Sequence, residues 1–130
     1  MQNVNHSYNW FTIRRLKILF MVYTIVLVLL AVLPINSTGS VINNTYLISI
    51  RLDYLLHFVT ILPWMFLLWK TGGVSFSSNL YQAFLYIILG LIFALATETI
   101  QYFLPYRAFN INDILANCLG VVLGSLFFLL

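Results

Sequence analysis

Charged side chains are scarce in this sequence, and their scarcity excludes most kinds of water-soluble protein. Only 7% of the 130 residues are charged and 62% are hydrophobic, with a mean hydropathy of +0.99. A soluble domain has roughly 25% charged residues. The length allows one domain. The composition therefore predicts an integral membrane protein with no sizeable water-soluble part.

Cysteine and histidine are also rare. The single cysteine, Cys118, excludes an internal disulfide and a cysteine-based metal site. No close motif such as H-x-x-x-H is present, so we expect no cofactor, and metal binding is a minority interpretation. The net charge of +3 includes Arg14, Arg15 and Lys17, which lie together just before the first apolar run. This placement is typical of membrane orientation and argues against nucleic acid as a partner.

Long apolar runs make up most of the chain. They predict helices at about 12–33, 51–69, 80–104 and 111–130, separated by segments rich in turn-forming residues. Residues 34–50 carry no charge and predict an exposed loop. A signal peptide is the alternative for the first run, but no small-x-small cleavage site follows it. We therefore predict an all-α fold, a polytopic membrane protein whose residues 1–130 form a single four-transmembrane-helix bundle.

The lysine and arginine residues predict the orientation of this bundle. With the N-terminus inside, four basic residues lie on the cytoplasmic side: Arg14, Arg15, Lys17 and Lys70. Only Arg51 and Arg107 then lie on the outer side. Because basic residues are enriched in cytoplasmic segments, we expect both termini to be cytoplasmic.

This topology places every acidic residue near a helix end on the outer side. The charged and polar residues found there, called the polar layer below, are Arg51, Asp53, His57, Glu98, Gln101, Arg107, Asp113 and Asn117. On each helix two of them are three or four residues apart and so share one face. Small residues continue two of these faces, which favours close packing between helices. We therefore expect the polar layer to form one ligand-binding site.

Glu98 is the most informative residue of the polar layer. It lies about six residues inside the predicted end of its helix, and a carboxylate in a membrane span costs about 2.5 to 3.5 kcal/mol on insertion scales. It must therefore be neutralised, either by protonation or by a partner. The candidate partners are Arg51, His57, Gln101, Arg107 and Asn117. Glu98, His57 and Asp113 are also the candidate catalytic residues.

Purely structural roles are open for several of these residues. Asp113 is placed to complement the positive N-terminal end of the fourth helix. Asp53 and His57 have the spacing of a structural i,i+4 hydrogen bond. Arg107 is placed to mark the membrane interface.

The joint spacing of these residues resembles the VanZ-like family of small bacterial membrane proteins. The matching segments are Asp53-xxx-His57-Phe58, Glu98-xx-Gln101-x-Phe103-x-Pro105-x-Arg107 and Asp113-xxx-Asn117-xx-Gly120-xxx-Gly124. The resemblance implies the bacterial cytoplasmic membrane and an association with resistance to teicoplanin, a lipid-tailed glycopeptide. The sequence departs from the usual pattern at Tyr54, where lysine is common, and at Tyr106, where glycine is common.

The sequence is compatible with three different functions. The first is binding of a membrane amphiphile, such as a lipid-linked cell-wall precursor or a lipoglycopeptide, with Arg51 and Arg107 holding its anionic groups. The second is a membrane enzyme acting on a lipid head group, with Glu98 and His57 in acid–base roles. The third is a proton-coupled transporter or flippase, which a chain of this length would support only as a homo-oligomer.

Overall fold

The computed structural model describes residues 3–34, 46–47, 50–72, 80–107 and 109–129. The helices within these ranges are α1 (Asn3–Val32), α2 (Leu52–Gly72), α3 (Leu80–Tyr102) and α4 (Ile111–Gly124), the last continuing as a 3₁₀ helix over Ser125–Leu129. Each contains a stretch long and apolar enough to cross a membrane: Thr12–Val32, Leu52–Gly72, Leu80–Tyr102 and Ile111–Phe128. The predicted all-α bundle of four membrane-spanning helices is confirmed.

The helix boundaries differ from the predicted ones for local reasons. Helix α1 begins well before position 12, and α3 ends at Tyr102 instead of residue 104. At that end the amides of Phe103 and Leu104 donate to the carbonyls three residues earlier, at 3.2 and 3.0 Å. Such bonds tighten a final turn, and Pro105 disfavours the helical conformation at the residue before it. The chain therefore leaves the helix two residues earlier than predicted.

A short antiparallel pair of strands lies just before α2. Strand β1 (Tyr46–Leu47) pairs with β2 (Ile50–Arg51), with Tyr46 opposite Arg51. Arg51 therefore belongs to a strand, and α2 begins one residue later than predicted. Residues 35–45, 48 and 49 lie outside the described residues, so an exposed loop there stays a prediction.

Helices α2 and α4 form the most extensive pair in the bundle, while α1 packs chiefly on α2 and α3 chiefly on α4. Gly120 of α4 makes this close approach possible. A Cβ atom at Gly120 would lie 1.9 Å from Ile61 Cγ2 and 2.9 Å from the backbone oxygen of Phe58. The small residues on the face of Asn117 therefore serve close packing, as their spacing predicted.

Aromatic packing connects α1 and α3 to this central pair. The Trp64 ring stacks on Phe93 with centroids 4.6 Å apart, and Trp64 Nε1 donates to Thr24 Oγ1 at 3.0 Å. The Tyr23 hydroxyl donates to the carbonyl oxygen of Thr60 at 2.8 Å. With these contacts α1 lies at the edge of the bundle, and most of its apolar surface faces outward. Only 11% of its most apolar 18-residue stretch is buried.

Candidate functional site

The polar layer lies at the end of the bundle where α2 and α4 begin and α3 ends. Five of its members are buried: Asp53, Glu98, Gln101, Asp113 and Asn117, with exposures of 4, 0, 5, 6 and 5%. Among the described residues, Ser125 is the one further buried polar side chain. The predicted polar faces therefore do turn inward, away from the surrounding lipid.

His57 connects the three helices at the centre of the polar layer. Its Nδ1 lies 3.7 Å from Glu98 Oε1, and its Nε2 lies 3.7 Å from Asp113 Oδ2. The side-chain amide of Asn117 lies 3.3 Å from Nδ1. One imidazole from α2 therefore faces a carboxyl group of α3 on one side and a carboxyl group of α4 on the other.

Glu98 is the most deeply buried charged residue of the site. Its side chain has no exposed surface, and neither carboxyl oxygen has a hydrogen-bond partner within the described residues. Of its five candidate partners, only His57 lies at ion-pair distance. Burying a carboxyl group without hydrogen bonds to its two oxygens costs free energy. The Glu98 carboxyl group would therefore be stabilised by a cation or a hydrogen-bond donor.

Asp53 pairs with Arg51 and not with His57. Arg51 donates to the two carboxyl oxygens of Asp53 at 2.5 and 3.2 Å, and the backbone amide of Tyr54 donates to one of them at 3.0 Å. The interpretation of Asp53 and His57 as an i,i+4 hydrogen-bonded pair is therefore wrong. A permanent guanidinium two residues away competes better for the carboxylate than a weakly basic imidazole.

Asp113 lies in the first turn of α4, where its suggested structural role requires it, and faces the site as well. Asn110 is the N-cap of α4, and its side chain accepts from the amide of Asn112 at 3.1 Å, as capping requires. Asn110 Nδ2 in turn donates to Asp113 Oδ1 at 3.3 Å. This leaves Asp113 Oδ2 directed at His57. One oxygen stabilises the helix start while the other belongs to the central cluster.

Arg107 contacts the C-terminal end of α1. Its guanidinium donates to the carbonyl oxygen of Leu30, and its Nε is buried without a partner in the described part of the chain. Burial lowers the pKa of Arg107, while the nearby carboxyl groups of Glu98 and Asp113 act in the opposite direction. Arginine remains cationic despite such shifts. No carboxylate among the described residues lies at ion-pair distance from it.

Two cavities of different character meet within the polar layer. The apolar cavity has a volume of about 200 Å³, and residues that line it include Leu27, Leu30, Ala31, Leu56, Ile61 and Phe93. The polar cavity has a volume of about 320 Å³, and residues that line it include Arg51, Asp53, Tyr54, Asn110, Asn112 and Asp113. His57, Gln101 and Arg107 line both. The site is therefore polar at one side and apolar at the other.

The sequence profile of the VanZ/LLP1 family matches residues 20–130. The chain belongs to the VanZ/LLP1 family. The matched range contains the whole polar layer and both cavities. No curated protein and no solved structure matches the chain.

Three residues of this VanZ/LLP1 site were missed by the sequence analysis as binding residues. Tyr54, Asn110 and Asn112 line the polar cavity, and the Tyr54 hydroxyl accepts from the side-chain amides of Asn110 and Asn112 at 3.4 and 3.2 Å. The Arg51 guanidinium lies 4.7 Å from the centre of the Tyr54 ring. The available signal was Tyr54, at which the sequence departs from the pattern that it resembles. In the structure the Tyr54 hydroxyl joins α2 to the start of α4.

The arrangement can support more than one kind of chemistry. A cationic Arg107 beside amide groups suits an anionic head group. His57 between two carboxyl groups suits proton transfer or metal binding, although 3.7 Å is longer than a catalytic hydrogen bond.

The buried polar side chains of the described residues, apart from Ser125, lie at one end of the bundle. A proton path through the membrane would need polar groups along the rest of it.

Proposed function

We propose that the chain binds an amphiphile with an anionic head group, of the class that includes lipid-linked cell-wall precursors and lipoglycopeptides such as teicoplanin. The observation that carries the proposal is the junction of an apolar and a polar cavity at His57, Gln101 and Arg107. An amphiphile needs both environments side by side. Its head group would occupy the polar cavity and the start of its tail the apolar one.

Arg107 supplies the charge that this ligand requires. Arg51, the other cation of the polar layer, is already paired with Asp53 at 2.5 Å. Arg107 is held in place by the carbonyl oxygen of Leu30 and lines both cavities. Because this acceptor is neutral, the positive charge of the guanidinium can still pair with an anionic group of the ligand. Gln101, Asn110 and Asn112 add neutral groups that can orient the rest of the head group.

The apolar cavity has an opening suited to a lipid tail. Leu30 of α1 and Leu56 of α2 line the cavity and are 43% and 44% exposed, and we infer from this that the cavity opens to the surface between these two helices. In a membrane this surface faces acyl chains. A tail can therefore extend from the cavity into the bilayer while its first carbons are enclosed.

The membrane side of the site and the family association favour a ligand of the cell envelope. Four of the six basic residues lie toward the opposite end from Arg51 and Arg107, and by the positive-inside rule this distribution favours the outer leaflet for the polar layer. Lipid-linked wall precursors and lipoglycopeptides both act there. The VanZ-like association with teicoplanin resistance points to the same ligands.

Titration of the purified protein in nanodiscs tests the proposal. The probes are a pyrophosphate-bearing lipid-linked precursor, teicoplanin, and a zwitterionic lipid as a negative control. Because a hydrogen bond to a charged group contributes about 1.5 to 3 kcal/mol, we expect Arg107→Gln to weaken binding roughly 10- to 100-fold. The matched control is Lys70→Gln, a cation at the far end of α2. Equal affinities of the Arg107 variant and the wild type would refute the proposal.

An enzyme acting on a lipid head group is the second candidate, and the position of His57 between Glu98 and Asp113 favours it. In this reading Glu98 is the general acid or base and His57 its partner. Incubation of the same lipid-linked substrate with wild type and Glu98→Gln, followed by mass spectrometry of the head group, tests it. Product formed equally by both proteins would exclude Glu98 as the catalyst.

A further inference from the structure

Three potential metal ligands from three different helices converge in the polar layer. His57 of α2, Glu98 of α3 and Asp113 of α4 each offer one ligand atom, and these atoms lie within 4.8 Å of one another. Ligand atoms bound at about 2.1 Å to one tetrahedral ion lie about 3.4 Å apart. A contraction of up to about 1.4 Å, within the reach of side-chain rotation, would bring the three atoms to that separation.

Glu98 provides an independent reason to expect a cation. Its side chain is 0% exposed, its Oε1 faces His57, and neither of its oxygens accepts a hydrogen bond from any described residue. Protonation would not resolve this, because a neutral carboxyl group would still have a buried donor and an acceptor without partners. A bound metal ion would satisfy the carboxylate directly.

The arginines of the site lie near this cluster but form no ion pair with Glu98 or Asp113 within the described residues. Arg51 pairs with Asp53, and Arg107 donates to the carbonyl oxygen of Leu30. Within the described ranges, His57 is the basic side chain at ion-pair distance from Glu98 and Asp113, at 3.7 Å from each. Two carboxyl groups and one imidazole thus lie together without an ion pair to either arginine.

We propose that His57, Glu98 and Asp113 bind one divalent transition-metal cation, Zn²⁺ or Mn²⁺, in the polar layer. The donor set of one imidazole nitrogen and two carboxylate oxygens suits these ions. The polar cavity, lined by His57 and Asp113, leaves the remaining coordination positions open to water or a ligand. Asn117 at His57 and Asn110 at Asp113 Oδ1 orient two of the ligands.

This site goes beyond the proposed binding of an amphiphile and does not depend on it. The absence of a local motif such as H-x-x-x-H is explained by the geometry, because each ligand comes from a different helix. Helical periodicity reports which residues share one helix face, and it cannot report a set assembled across three helices.

Metal binding is measured on detergent-solubilised wild-type protein, stripped with a chelator and free of precursor or lipoglycopeptide. Equilibrium dialysis against Zn²⁺ with elemental analysis should give one equivalent per chain. His57→Gln and Glu98→Gln should each weaken binding by roughly 100-fold, since even an orienting partner of a ligand is worth 10- to 100-fold. The matched control is His6→Gln in the N-terminal part of α1, which should keep the wild-type affinity.

A second measurement needs no variant and so does not depend on their folding. Electron spin-echo spectroscopy of the wild type loaded with Mn²⁺ should show coupling to an imidazole nitrogen. Less than one-tenth of an equivalent of Zn²⁺, equal affinity in the His57 and His6 variants, or a Mn²⁺ spectrum without nitrogen coupling would each overturn the proposal. Because no amphiphile is present, these outcomes leave the binding proposal to its own titration.

Discussion

Arg107 donates a hydrogen bond to the carbonyl oxygen of Leu30, and this contact replaces a bond that α1 cannot form. In a continuing helix the Leu30 carbonyl would accept from the amide four residues later. That residue is Pro34, which has no amide hydrogen. The same guanidinium that is proposed to hold the ligand therefore also caps the neighbouring helix.

Loss of this cap should loosen the end of α1. In Arg107→Gln the Leu30 carbonyl loses a charged donor, a change of about 1.5 to 3 kcal/mol. We expect amide hydrogen exchange in residues 30–33 to become at least tenfold faster, while exchange in the core of α2 stays unchanged. Lys70→Gln is the control and should leave both segments unaffected. Exchange at the wild-type rate in Arg107→Gln would contradict the capping role.

Gly120→Ala should destabilise the bundle. The new methyl group would overlap Ile61 Cγ2 and approach the Phe58 carbonyl, and overpacking of this kind costs about 1 to 3 kcal/mol. Thermal unfolding in detergent should show a lower Tm. In the background Ile61→Ala the same change should cost less, because the clashing side chain is gone. Equal losses in both backgrounds would show that the close contact is not the cause.

Thr24→Val should weaken the docking of α1 on α2. The substitution keeps the shape of the side chain and removes the acceptor for Trp64 Nε1, so the buried indole is left without its 3.0 Å bond. We expect a loss of about 1 kcal/mol in stability, seen as a lower Tm. The control is Thr99→Val, whose exposed hydroxyl bonds only to its own helix at Leu95. Similar losses for both variants would argue against a role for the interhelical bond.

Ala31→Leu should narrow the apolar cavity and so discriminate between acylated and deacylated ligands. Ala31 is 6% exposed and lines that cavity. We expect roughly tenfold weaker binding of an acylated precursor, about 1.4 kcal/mol, and unchanged binding of its deacylated form. Calorimetry with both ligands measures this, and circular dichroism checks the fold. A parallel loss for both ligands would mean that no tail occupies this cavity.

Cysteine labelling tests the membrane side of the polar layer. In a Cys118→Ala background, Ser40→Cys and Ser77→Cys place one thiol in each of two opposite segments between helices. A membrane-impermeant maleimide applied to intact cells, after permeabilisation of any outer membrane, should label position 40 and leave position 77 unlabelled. The opposite pattern would place the proposed ligand site at the cytoplasmic face.

The sequence predicted the helices and the inward-facing polar side chains because both depend on local periodicity. Four runs of apolar residues predict four spans, and the spacing of Glu98 and Gln101 predicts one shared face. The choice of partners could not be predicted in this way. Asp53 was equally well spaced for His57, and its pairing with Arg51 depends on where β2 turns into α2.

The contact of His57 with the carboxyl groups of Glu98 and Asp113 could likewise not be predicted from the sequence. It depends on how far each helix is rotated and displaced along its axis, and the close approach at Gly120 constrains this for α2 and α4. The polar role of Tyr54 depends on the position of Asn112 across the same interface. Sequence spacing therefore indicated which residues lie together in the polar layer, and tertiary packing determined which of them touch.

An opening of the apolar cavity between the exposed Leu30 and Leu56 would have a kinetic consequence. A molecule that enters there arrives by two-dimensional diffusion within the leaflet and never crosses bulk water. Occupancy would then follow the mole fraction of the amphiphile among the surrounding lipids. Diluting the vesicles at constant lipid composition would leave it unchanged.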